Sequence, residues 1–230
     1  MGKKNKSFWV EMSVLDVSTF FYIEESEVKK MKSHISHWYP KDENFFKVLS
    51  ISGNIRSADA NKINISNSRL KNYEKDKLIE RLTYPSRYNS QQNSNQCYAL
   101  TQKGKDFIKS KYGIERCQNG HAAEHNCKVA EIICGLNKQE IESVQSEWES
   151  RDQFLEALDN MRTQGEIDRY DEYRELLEQG RVSAPDITYT SSIGEVVSIE
   201  VVTSNYKGED IEAKEIFAQA MERDIQYVNT

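Results

Sequence analysis

The chain has 230 residues, 37% hydrophobic and 30% charged, with a formal net charge of −6, a composition that suits a soluble globular protein with room for two cores. No apolar run approaches the roughly 18 residues that span a bilayer, and MGKKNKSF at the start leads into no apolar stretch of the signal-peptide kind, so the sequence predicts no membrane partner and a cytoplasmic protein with reduced thiols. Charge is divided along the chain: residues 1–115 carry 20 Lys/Arg against 13 Asp/Glu, and residues 116–230 carry 11 against 24. A basic half can neutralise phosphates, whereas an acidic half is repelled by them unless a cation intervenes. Two domains, 1–115 and 116–230, are therefore expected.

In chain order, Met1–Asn44 carries Phe8, Trp9, Phe20, Phe21, Tyr22, Trp38 and Tyr39 among charges. These predict helices that pack on the following domain or on a second copy of the chain, which would make a homodimer. FFKVLSIS from Phe45 reads as a short buried helix ended by Gly53-Asn54, and Ile55–Ile63 as a second helix. Ser66 is placed to cap a third, Ser68–Lys77, with Leu70 and Tyr73 inward and Asn67, Ser68, Arg69, Lys71 and Asn72 outward. Those five are side-chain types that donate to base edges and phosphates. LIERL and CYAL then flank a polar loop in which Arg87 and Tyr88 are candidates for backbone or minor-groove contacts. The run LKNYEKDKLIER, loop, YALTQKGKDF resembles the winged-helix pattern LxxLxxxGLIxR, loop, YxLTxxGxxF, with Lys77 where the turn glycine usually stands. The resemblance spans residues 45–115 and implies a winged helix-turn-helix module whose partner is double-stranded DNA. Some winged helices instead bind protein, but the basic balance of this half favours DNA.

After Gly113 the composition turns acidic, and a helix with His121, His125, Val129, Ile132 and Ile133 is expected from Gly120. Residues 151–180 read as two charged helices joined near Thr163–Gly165. Pro185-Asp186 begins a strand (ITYT), Ser191–Gly194 makes a turn, and EVVSIEVVT is the longest strand signal in the chain. Glu200 interrupts that apolar run, and a carboxylate in a buried strand is costly unless it is paired or binds a cation. Asp186 and Glu200 on adjacent strands can converge on one hard cation, Mg²⁺ or Mn²⁺, which would polarise a phosphodiester and acidify a water.

Pro185-Asp186, followed by Glu200-Val201-Val202, resembles the PD-(D/E)xK nuclease superfamily, with Val202 in the usual lysine position. Wrapped on a helix, Asp210–Ile225 gathers Ile211, Phe217, Met221 and Ile225 on one side, with Lys214 among them. Lys214 then either reaches the carboxylates in place of the missing lysine or runs along the apolar face to solvent. Lys207 in the preceding loop is the second candidate. Cys117, His121, His125 and Cys127 make a rival zinc set, but their spacing contains no CxxC knuckle, and the favoured reading packs His125 and Asn126 beside the nuclease site.

The order of parts, a helix with HxxxHN (His121, His125, Asn126), Ser146-Glu147-Trp148-Glu149, then PD and ExxT, resembles the replication-relaxation group and, within it, the MobC family of plasmid mobilisation relaxases. That resemblance implies an α+β or α/β chain in which a winged helix precedes a restriction-endonuclease-like domain. It further implies metal-dependent nicking at a transfer origin, Glu147 as an added acidic site residue beside the catalytic Asp186, Glu200 and Lys214, and an accessory mobilisation protein as partner. Tyr206 is read as a positioning residue, since a two-carboxylate site needs only water as its nucleophile. The alternative is a non-catalytic regulator of replication or transcription that keeps a degenerate nuclease domain.

Overall fold

The computed structural model describes residues 33–85, 94–119 and 122–230. Arg87, Tyr88, His121 and most of Met1–Asn44 lie outside the described residues.

Helix α1 (Pro40–Ser52) starts five residues before the expected Phe45, because Pro40 suits a first helical turn and the Asp42 carboxylate accepts the Tyr39 N–H at 2.7 Å. Gly53 ends it at φ 80°, where an added Cβ would lie 2.8 Å from Asn126 Nδ2. Ile55, expected to open the second helix, instead pairs its backbone with Tyr98. The reason is burial: Ile55 is fully covered, and its N–H and C=O find partners on Tyr98 at 3.0 and 2.8 Å. Helix α2 (Ser57–Lys62) is correspondingly shorter. Ser66 caps α3 (Asn67–Lys75), accepting the Arg69 N–H as its position predicts. Strands β1 (Ile79–Pro85) and β2 (Ser94–Leu100) form an antiparallel hairpin, and α4 (Gln102–Tyr112) follows.

The end of α3 explains the residue that departs from the glycine pattern. Lys77 donates its N–H to Glu74 O and Leu78 donates to Tyr73 O, closing a Schellman turn with Lys77 at φ 57°. An L-residue in that conformation costs about 1–2 kcal/mol, partly offset in a glycine variant by the greater freedom of its unfolded chain. Lys77→Gly is expected to stabilise the protein by about 0.5–1 kcal/mol, raising the thermal midpoint by about 1–4 °C; a calorimetric scan of the two proteins checks this.

The second half continues with α5 (Ala123–Ile133), α6 (Lys138–Ser143), a two-residue strand β3 (Gln145–Ser146), α7 (Glu147–Gln164) and α8 (Ile167–Glu178). Gly165 sits in the left-handed region between the last two. Strands β4 (Ile187–Thr190) and β5 (Val196–Val202) form the expected hairpin, α9 (Gly208–Ala220) crosses over, and β6 (Ile225–Asn229) returns parallel to β5. Sheet order is β3-β4-β5-β6. The helix expected to run to Ile225 stops at Ala220: Glu222 turns to φ 52°, and Ile225 begins the last strand.

The chain is thus α+β, with helices against a small antiparallel hairpin and a mixed four-stranded sheet. Residues 34–230 cluster as one compact unit. The break expected at 115/116 falls in chain without regular secondary structure between α4 and α5, and it separates no cores. Phe45, Leu49, Ile55 and Tyr73 belong to the same buried cluster as Val129 and Ile133 of α5 and Ile187, Ile199 and Val201 of the sheet. A second cluster joins α7, α8 and α9 through Phe154, Leu158, Tyr173 and Phe217. No helix among the described residues is long and apolar enough to cross a membrane.

Candidate active site

Alternation along β5 puts Ile199 and Val201 in the first cluster and turns Ser198 and Glu200 the other way. Pairing of Ile187 with Ile199 brings Asp186, just before β4, level with Glu200. The two carboxylates are then tied by each other's backbones. Asp186 N–H donates to Glu200 Oε2 at 2.9 Å, and Val201 N–H donates to Asp186 Oδ2 at 2.8 Å. Pairing of Ser146 with Ile187 starts α7 at the same end of the sheet and places Glu147 beside them.

Glu200 is completely buried. Its cation is Lys214, whose Nζ lies 3.0 Å from Glu200 Oε1 and donates to Ala184 O at 2.5 Å. Lys214 is itself 7% exposed, so of the two orientations open to it the inward one is taken. Lys207 is exposed and opens α9. Val202, half-buried, offers no charge in the expected lysine position. Tyr206 donates its hydroxyl to Glu200 Oε1, which fits a positioning residue. Burial and the Asp186 charge hold the Glu200 carboxyl above the usual range, against the pull of Lys214 and Tyr206.

His125 and Asn126, both expected beside the carboxylates, complete the surroundings. His125 Nε2 lies 3.1 Å from Asp186 Oδ2; burial is the largest single influence and works to lower its pKa, but the bond and charge of Asp186, the Asn126 bond and the Glu200 charge together outweigh it and the net shift is upward. No hydrogen bond reaches Asp186 Oδ1 among the described residues. Asn126 stands behind His125: its Oδ1 lies 3.3 Å from His125 Nδ1, and its Nδ2 donates to Asn54 Oδ1 and Asn119 O. The rival zinc set does not assemble among the described residues: Cys127 is buried in contact with Cys97 and Tyr84, and His125 faces Asp186. Nor does any group of three or more His, Cys, Asp or Glu side chains among the described residues stand ready to hold a metal ion.

Burial, reinforced by Asp186, lifts the Glu147 carboxyl above its ordinary value, while Lys214, Arg151 and His125 work the other way. A raised acid favours the folded state while it is protonated. That stability is complete below the unfolded value of 4.5 and is lost as pH rises through the folded value. Glu147→Gln should therefore melt at a higher temperature than the parent near pH 7, with the gap closing toward pH 4.5. Paired thermal melts across that window check it; a gap that stays constant removes the carboxylate as its source.

The five side chains expected on the outer face of the third helix divide. Asn67, Ser68 and Lys71 are exposed and Asn72 is half-covered. Arg69 turns inward, contrary to expectation. Its Nη2 lies 2.6 Å from the buried Asp42 Oδ2, its Nε donates to Asp42 Oδ1 at 3.0 Å, and it also donates to His37 O. The physical reason is Asp42: a fully buried carboxylate needs a cation, and the Arg fork meets it at both oxygens.

Comparison with family models, curated proteins and solved structures gives no match for this chain.

Proposed function

We propose that this chain is a DNA endonuclease of relaxase type, in which a winged helix-turn-helix module over residues 40–112 docks on double-stranded DNA and a PD-(D/E)xK-like centre nicks one strand at a transfer origin of a plasmid or mobile element. One observation carries the reading: Lys214 reaches Glu200 at 3.0 Å from the helix after the second strand, supplying the charge that Val202 cannot. The order hairpin, α9, parallel β6 also supports it, as do Lys71, Asn67 and Ser68 on an exposed helix face beside a hairpin.

The donor set is hard oxygen, which fits Mg²⁺ or Mn²⁺. Asp186, through its open Oδ1, and Glu200 would hold the ion, with Glu147 beside them; once bound it would polarise the phosphodiester and acidify a water. His125 and the Val201 N–H fix the Asp186 carboxylate. Tyr206 and the Asp186 N–H fix that of Glu200. Lys214, dry and charged, stabilises negative charge developing on the phosphate. An accessory mobilisation protein, a second copy of the chain and a cytoplasmic setting belong to the same reading.

Supercoiled plasmid carrying a transfer origin, incubated with protein and Mg²⁺ or Mn²⁺, tests it. Metal-dependent nicking is expected, falling by about 10²-fold or more in Asp186→Ala and Glu200→Ala. Salt-dependent binding with no nicking by the parent would overturn the enzyme in favour of a regulator, and no salt-dependent affinity for DNA would overturn both.

A further inference from the structure

The first two turns of α7 carry side chains that the carboxylate centre does not use. Trp148 follows Glu147, and its indole is 39% exposed, although large aromatics normally find cover. The ring borders the cleft that holds His125, Glu147 and Asp186, and also a neighbouring shallow cleft lined by Arg116, Arg151 and Leu155. Arg151 lies one turn along the helix, three residues after Trp148 and four after Glu147, on the same side. It borders that second cleft and a third that Glu147 shares with Phe154 and Ala184. Arg151 is exposed and makes no ion pair among the described residues, and its charge acts on Glu147.

The other charges nearby are already engaged. Arg116 pairs with Asp152 at 2.7 Å, Glu149 accepts the Ser146 N–H at 2.7 Å, and Glu115 lies 3.7 Å from Lys109. A part-exposed aromatic side chain and a cation with no ion pair among the described residues, lining one shallow cleft at the edge of the candidate centre, match a base and a phosphate.

We infer that α7 holds one unpaired nucleotide of the DNA strand beside the carboxylates, its base stacked on Trp148 and its phosphate paired with Arg151. The inference rests on the nuclease reading and narrows its substrate to DNA that is single-stranded or melted at the cut. A base inside a duplex has both faces covered by its neighbours and offers none to an indole. Leu155, exposed on the next turn, extends the apolar floor.

The test uses the full chain in EDTA, so that binding is read without cutting. A fluorescein-labelled oligothymidylate of about ten nucleotides and a duplex carrying the same label are titrated by anisotropy. Trp148→Ala should weaken the oligothymidylate about tenfold, with Trp148→Phe recovering most of the loss. Arg151→Ala should weaken it and lower the salt slope by about 0.7. Duplex affinity and thermal midpoint should hold in all three. No oligothymidylate binding by the parent, unchanged affinity in the Ala variants, or a loss that Trp148→Phe does not recover would each overturn the inference. The two readings fail separately: a parent that nicks plasmid but binds oligothymidylate independently of Trp148 loses only the nucleotide site, and one that binds through Trp148 and Arg151 without nicking loses the nuclease.

Discussion

Lys214→Met is expected to cost about 3–5 kcal/mol of stability near pH 7, because it leaves a fully buried carboxylate without its cation. Two further outcomes distinguish this from loss of packing, since Met fills much of the same volume. First, the deficit should depend on pH with a definite sign. Glu200 is already held above its ordinary value by burial and by Asp186, with Lys214 pulling the other way. Removing the ammonium raises it further. Below the unfolded value of 4.5 the carboxyl is neutral in both states and the variant should approach the parent, and as pH rises through the folded value it should fall behind. Second, Glu200→Gln in the same chain should restore much of the stability, because the charge that needed a partner is gone. Neither change should restore nicking, which is expected to fall by about 10²-fold or more in Lys214→Met. Urea melts at two pH values with a plasmid nicking assay measure all of this. A variant that melts and nicks like the parent would remove Lys214 from the site.

The hairpin was legible because its signals are local. ITYT and EVVSIEVVT alternate, Ser191–Gly194 supplies the turn, and register then follows, bringing Asp186 and Glu200 level. Lys214 was legible in part: helical spacing put it among the apolar residues of α9, but left open whether its ammonium reached Glu200 or solvent. What the sequence hid is non-local or too short to have a period. Strand β3 has two residues, yet its pairing with Ile187 delivers Glu147 to the site. The Glu222 turn at φ 52° carries no Gly or Pro to announce it, so Ile225 read as the end of the helix and not as the start of a strand. The partners of two side chains expected at the site were hidden in the same way: His125 meets Asp186 across 61 residues, and Tyr206 reaches back to Glu200 only after the chain has turned out of β5. The HxxxHN pattern pointed to the right helix, but spacing could not say that His125 bonds the Asp186 carboxylate while Asn126 links His125 to Asn54 and Asn119.

Arg69 is where residue type and position disagree most, and its replacement separates the two. Asp42 is fully buried, and Arg69 lies 2.6 Å from it with its side chain 16% exposed. The guanidinium is also 5.6 Å from the Trp38 ring centre and 5.5 Å from that of Tyr73. Arg69→Ala leaves the Asp42 charge with the Tyr73 hydroxyl and the Tyr39 N–H but no cation among the described residues. The expected loss is about 3–5 kcal/mol, and Arg69→Lys should recover little of it, because an ammonium cannot span both carboxylate oxygens. Duplex affinity, measured where the variant is still folded, should change by less than about twofold, within the scatter of surface substitutions. Lys71→Ala, two residues along on the exposed face, should do the reverse: an unchanged melt, weaker duplex binding, and a salt slope smaller by about one. Denaturation melts and anisotropy titrations over a salt series on both variants decide it. If Arg69→Ala melts like the parent and takes a unit from the salt slope, the arginine faces the groove after all, and some other group must satisfy Asp42.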